Sequence, residues 1–216
     1  MIDATDFTIP GTGVFKNKLG ITNPADFSRT ATGSMALSLV ELQATPVRGG
    51  FDATHLQAIH HHLFQDIYDW AGELRTIDAG NVPASQVEKS LNSILDRLSR
   101  ENHLKGLSAE EWTHSASAYL YDLGEIQPFL AGNEIALQEF AVELARKNNL
   151  SLQWGAATET AINNAFVQVQ QQEQSANFRR LLMLAVDANP IPFRPDRNTL
   201  IMDGIERSTS LGNPFL

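Results

Sequence analysis

Apolar residues recur three and four apart over several stretches of this chain, the spacing that puts them on one face of a helix. Leu56, Ile59, Leu63, Ile67 and Trp70 form one such stripe, opened by Asp52 as its capping residue. Upstream, Asn23-Pro24 places a capping side chain before a proline at the first helical position, and Pro46 marks where that helix has ended. Ser85 with Glu88 reads as a capping box before Val87, Leu91, Ile94, Leu95 and Leu98, and Ser108 with Glu111 as a second before Trp112, Tyr119, Leu120 and Leu123. Asn133 stands as an N-cap ahead of Leu137, Phe140, Ala141 and Leu144, and Arg146 and Lys147 sit where positive charge suits the end of a helix, near Asn149.

Elsewhere the pattern breaks. LRTIDAGNVPA, from Leu74, alternates, turns at Ala-Gly-Asn and meets Pro83, which predicts a short hairpin or flap over Leu74 to Pro83, too short for a sheet. Two later apolar patterns, Ile162 to Val169 and Phe178 to Val186, flank the polar run QVQQQEQSAN, which fits either one long helix or a helix-turn-helix joint. From Asn189 the composition shifts to PIPFRPDRN and a short alternating segment, Leu200 to Ile205. The pattern therefore predicts an all-α domain over 1–188, followed over 189–216 by a linker and the start of a small β domain.

Composition narrows the function. A length of 216 residues at 43% hydrophobic content supplies a sizeable core, and a net charge of −9 from 16 basic and 25 acidic residues, with no basic run, argues against nucleic-acid binding. There is no cysteine, which removes disulfide scaffolds, thiolate catalysis and Cys-ligated metal sites, and makes the cytosol the default compartment. No apolar stretch approaches the ~18 residues of a membrane span, and the N-terminus lacks the layout of a signal peptide. If the protein leaves its cell, a signal elsewhere, such as a C-terminal one, directs it.

Candidate chemistry is sparse. HLQAIHHHLF invites a metal reading, but no pair among His55, His60, His61 and His62 is four apart on one face, so these side chains read as solvated or core-edge and no metal site is expected. Neither a phosphate-binding glycine loop nor a nucleophilic triad can be nominated. The acidic run at Ser108 to Glu111 is helix capping. One stretch remains: in IQPFLAGNEIALQEF the Gly132-Asn133 turn precedes a helix whose first amides have no partner inside it, so it can form an anion nest, although ordinary capping looks the same.

That stretch resembles the signature of Fic (Fido-fold) proteins, H-P-F-x-[DE]-G-N-G-R-x-x-R. HLQAIHHHLFQDIYDWAGELRTID resembles the helix and flap that precede it in the family. The resemblance covers most of residues 20–188 and is nearest to the Fic domains of bacterial effectors exported by type IV secretion, in which a small OB-type barrel follows. It implies a Fic/Fido helical bundle with a short β-hairpin flap, and an activity that transfers AMP from ATP, held by Mg²⁺, to a hydroxyl of a target protein. Carried over position by position, the motif histidine is Gln127, the magnesium-holding acid is Ala131, the last glycine is Glu134, and the two arginines are Ile135 and Gln138. Pro128, Phe129, Gly132 and Asn133 match. Base, metal ligand and positive clamps are thus replaced together, and only the nucleotide or anion cradle of Gly132 and Asn133, with Glu134 beside it, is left.

The expectation is a degenerate Fic domain, leaning away from enzyme, without a bound cofactor and with weak or absent nucleotide binding. Its partner would be a protein docked along the flap at Thr76, Ile77 and Asp78. The alternative is an altered or slow nucleotidyl transferase, with Glu134 or a histidine of the 60–62 cluster recruited as base. A cytoplasmic location, or delivery into a host cell, accords with the effector resemblance.

Overall fold

The computed structural model describes residues 4–79, 81–154, 182 and 185–187. Helices α1 (Ala4–Phe7), α2 (Pro24–Ala44), α3 (Ala53–Phe64), α4 (Ala84–Arg100), α5 (Ala109–Ile126) and α6 (Asn133–Lys147) follow in order, with a 3-10 turn at Asn102–Leu104. Strand β1 (Ser151–Leu152) pairs antiparallel with β2 (Val186–Asp187), Leu152 opposite Val186. The chain is the helical bundle that the apolar spacing predicts. Among the described residues no helix is long and apolar enough to cross a membrane.

Helix α6 is the axis of the bundle. Every residue from Ile135 to Ala145 is buried, with α3 and α5 packed against it, α2 on α3 and α4 on α5. A helix in that position is expected to be apolar all round, yet α6 carries Gln138, Glu139 and Glu143 into the core. Glu143 is answered by His55 on α3, whose Nε2 lies 2.9 Å from Glu143 Oε2 and 3.0 Å from the Val47 carbonyl. The other ring nitrogen, Nδ1, accepts from the Phe51 amide at 3.2 Å, so one imidazole fixes both the entry to α3 and its seat on α6. Gly49 gives it room, since a Cβ there would lie 2.2 Å from the ring.

Three of the expected caps form. Asn23 accepts from the amides of Ala25 and Asp26, Asp52 from that of His55, and Ser108 with Glu111 completes both halves of its box. The Ser85–Glu88 box does not: α4 starts at Ala84, which leaves Ser85 inside the first turn, too late to cap. The cap comes from the flap instead, where Asp78 Oδ1 accepts from the Ala84 amide at 2.7 Å.

The stripe that runs on to Trp70 is also not one helix. Helix α3 ends at Phe64, and the amides of Ile67 and Tyr68 both turn back to the Phe64 carbonyl. The rings of Tyr68 and Trp70 then stack at 4.0 Å, which residues two apart on a helix cannot do because they face different ways. The flap is leaner than a hairpin: among the described residues one antiparallel bridge joins Ala79 to Val82. Of the pattern expected over Phe178 to Val186, Leu182 and Ala185 are helical and buried, whereas Val186 belongs to β2. The rest of that pattern, the one over Ile162 to Val169, and the boundary at 188 with its following β domain lie outside the described residues.

Loss of a capping carboxylate costs typically ~1 kcal/mol, whereas an uninvolved surface change stays within ~0.5 kcal/mol. Asp78→Ala is therefore expected to lower the unfolding free energy in urea, and Glu88→Ala to leave it unchanged. The opposite order would restore the box at Ser85.

Candidate functional site: the flap and the loop before helix six

Residues 127–132 carry the chain from α5 to α6. Irregular backbone buried in this way has no ladder to satisfy its polar groups, so side chains must do it. Arg75 does most of it. This arginine is 4% exposed, and its partners are carbonyl oxygens. Nε donates to Gln127 at 2.7 Å, Nη1 to Ile77 at 2.8 Å, and Nη2 to Ile126 at 3.0 Å and to Val82. The Arg75 amide also donates to the Pro128 carbonyl at 2.9 Å. Burial lowers the pKa of the guanidinium and the charge of nearby Asp78 raises it, and an arginine stays charged near neutrality. Its charge rests against the carbonyl end of α5, where the helix dipole is negative.

Gln127 turns left-handed, with φ 46° and ψ 68°, and its side chain is exposed. Consecutive carbonyls of Ile126 and Gln127 converge on one guanidinium only if the chain reverses there, at a cost of about 1–2 kcal/mol for a residue with a Cβ. Pro128 and Phe129 are buried behind it.

His60, on α3, holds the other end of the loop. It is fully buried, its Nδ1 accepts from the Gly72 amide at 2.8 Å, and its Nε2 lies 2.9 Å from the Ala131 carbonyl. Because Nδ1 accepts, the single proton is on Nε2 and is donated to Ala131. The ring stacks on Phe129 with centroids 3.9 Å apart. Burial pushes its pKa down to about 4, against a smaller upward pull from the Ala131 carbonyl, and the neighbouring His61 lowers it further. The three adjacent histidines do point apart: His61 Nδ1 bonds the Ala71 carbonyl at 2.9 Å, and among the described residues no three His, Asp or Glu gather around a point. The core-edge reading of His60 needs correcting, however. It is the bridge between the helix, the turn after it and the loop.

Asn133 corrects a second expectation. The N-cap of α6 is Gly132, left-handed at φ 75°, and a Cβ there would lie 2.4 Å from the Phe64 ring. Asn133 is the first helical residue and reaches backwards: its Oδ1 accepts from the Phe129 amide and its Nδ2 donates to the Phe129 carbonyl, both at 2.8 Å. Among the described residues no side chain caps the first amides of α6. Glu134 is half-buried beside them, and burial raises its carboxyl pKa. Ile135 and Gln138 are in the core, 1% and 2% exposed, and Gln138 Nε2 has no partner among the described residues. In the flap, Thr76 and Asp78 are exposed, Ile77 faces inward, and Asp78 is engaged as the cap of α4. The fold thus brings Gln127, Pro128 and the flap together through Arg75, and sets Gly132, Asn133 and Glu134 at the head of α6.

The sequence profile of the Fic/DOC family matches residues 50–144. The probable protein adenylyltransferase Fic of Salmonella typhimurium is 32% identical over 160 residues, 71% of this chain and 79% of that protein. The chain belongs to the Fic/DOC family.

The protein adenylyltransferase VbhT of Bartonella schoenbuchensis is 34% identical over 167 residues, 75% of this chain, and the match spans 35% of that protein's length. In fold, this Fic domain resembles the N-terminal Fic domain of a VirB-translocated effector from Bartonella quintana, solved with bound ADP. The TM-score is 0.77 at 23% identity, over 92% of this chain and 98% of that one. The BepC effector of Bartonella tribocorum, solved with bound AMPPNP, gives a TM-score of 0.77 at 23% identity, over 85% and 97%.

Two outcomes follow from the loop geometry. Gly132→Ala forces a Cβ into Phe64 and adds left-handed strain, and is expected to lower stability by about 3 kcal/mol in urea unfolding. His60 has a folded pKa of about 4, below the unfolded value of 6.5, so its contribution is fully present above pH 6.5 and is lost as pH falls from there towards 4. That shift corresponds to about 3 kcal/mol. Unfolding free energies measured across this window should decline in the wild type, and His60→Phe should flatten the decline.

Proposed function

We propose that this chain is a Fic domain that keeps the family architecture without AMP-transfer chemistry, and that it acts by binding a protein along its flap. The observation that carries the reading is the burial of Ile135 and Gln138 in the bundle core, where the motif it resembles has its two arginines. Neither offers a cation to a triphosphate. At the motif's base position Gln127 presents an amide, which cannot accept a proton near pH 7, and at the acid position Ala131 offers no side-chain ligand atom for Mg²⁺. Glu134 adds a carboxylate at the head of α6, which opposes a phosphate there.

The residues present do not fit magnesium nucleotide, and no reaction step is assigned to it. Loss of a positioned base costs typically ~10²- to 10⁴-fold, and loss of a donor to developing charge about 3–4 kcal/mol, effects that do not simply add. Their joint replacement removes the reaction rather than slowing it. What remains is a docking edge: an extended segment with Thr76 and Asp78 outward, anchored from behind by Arg75, suits strand addition of a partner peptide. Relatives of this fold are VirB-translocated effectors, and the same delivery route is proposed here.

A second reading, slow transfer of a phosphate-containing group, draws on Glu134, whose half-buried carboxyl has its pKa raised by burial, the direction in which a carboxylate is tuned towards general-base work. Calorimetry separates the two: the docking reading expects no tight binding of ATP, GTP, UDP-sugars or CDP-choline, and the transfer reading expects one of them to bind.

The direct test is incubation of the purified chain with labelled ATP, Mg²⁺ and a cell lysate. No transfer above background is expected, and Gln127→His alone is expected not to create any. Strong label transfer that disappears in Gln127→Ala would overturn the proposal.

A further inference from the structure

Resting on the flap reading above, we propose that Arg75 is the positioning residue of this site: one guanidinium holds the docking edge and the turn at Gln127 as a single unit. Four of the five guanidinium donors are committed, two to flap carbonyls at Ile77 and Val82 and two to the end of α5 at Ile126 and Gln127. Among the described residues the flap has only the Ala79–Val82 bridge of its own, which cannot hold an extended edge in water. Its fixed points are therefore the side chains that reach into it from other elements and out of it. Arg75 ties it to α5 and to Pro128, Asp78 ties it to α4, and Asn81 Nδ2 donates to Glu125 Oε2 at 2.8 Å on the exposed side.

Of these, Arg75 alone is buried and alone bonds both the flap and the left-handed turn. The strain at Gln127 makes the coupling reciprocal. Without the guanidinium the two carbonyls lose the charge that holds them together, the turn relaxes, and the flap loses its backing in the same event. A lysine keeps the charge near the helix end but has no planar fork, so it cannot span carbonyls on both sides.

Amide hydrogen exchange of the free, full chain tests this with no partner present, so that failure of the docking reading and failure of the clamp are separate results. In Arg75→Ala and in Arg75→Lys, the amides of residues 76–79, 81–82, 126–127 and 129–131 are expected to exchange faster together, by about tenfold or more, while α2 keeps its protection. Loosening of the flap alone, of neither segment, or wild-type protection in Arg75→Lys would overturn the proposal. Should either variant fail to fold, the wild type decides by nuclear magnetic resonance. A discrete Arg75 Nε–H signal exchanging with water at least about a hundredfold more slowly than exposed arginines supports the clamp, and exchange at their rate refutes it.

Discussion

A buried stretch of irregular chain must find partners for its amides and carbonyls outside the regular ladders, and the loop between α5 and α6 meets that demand with three side chains. Asn133 closes the loop on itself through both polar groups of Phe129, His60 takes the Ala131 carbonyl, and Arg75 takes those of Ile126 and Gln127. Each then imposes a condition elsewhere. His60 must stay neutral, because Gly72 already donates to its second nitrogen. Gly132 must stay glycine, because drawing the loop in under α3 sets its Cα against Phe64. Arg75 must be buried, and with it the segment that carries it, which is why a flap of one bridge lies where it does.

None of these three residues needs to touch a nucleotide to do this, and their bonds go to backbone. The shape of the loop is therefore carried by bonds from side chains to backbone. Phe129 stacks on His60, Pro128 accepts from the Arg75 amide, and Asn133 braces the loop from inside. Gln127 and Ala131 participate through main-chain atoms, so a change of side chain there leaves the bracing intact. Ile135 and Gln138 lie inside the core, the first contributing apolar packing.

The helices were legible because each rests on a spacing that one face of a 3.6-residue repeat enforces, and the caps at Asn23, Asp52 and Ser108 because each is local. Legibility failed wherever a distant residue outbid a local rule. Ser85 and Glu88 have the right spacing for a box, but Asp78, six residues ahead of Ala84, reaches the amide first and the helix starts early. Asn133 precedes a helix as an N-cap should, but the close approach of Phe64 assigns the cap to Gly132. The stripe from Leu56 to Trp70 keeps facing the core after α3 has ended, so its periodicity outlived its helix.

The two residues that organise the site, His60 and Arg75, were the least readable. A histidine among three and an arginine in an alternating segment carry no local signal, since their partners are carbonyls 71 and 52 residues away. One signal was available in principle. A segment with strand-like alternation places every second residue inward, and in Leu74 to Pro83 that rule puts Arg75 on the same face as Ile77. A charged residue on an inward face has to be paired, so the pattern that predicted a flap also required an acceptor set for it. The carbonyl end of a helix is one structure able to serve a buried guanidinium. That requirement joins the flap to the C-terminus of α5, and through it to the turn at Gln127.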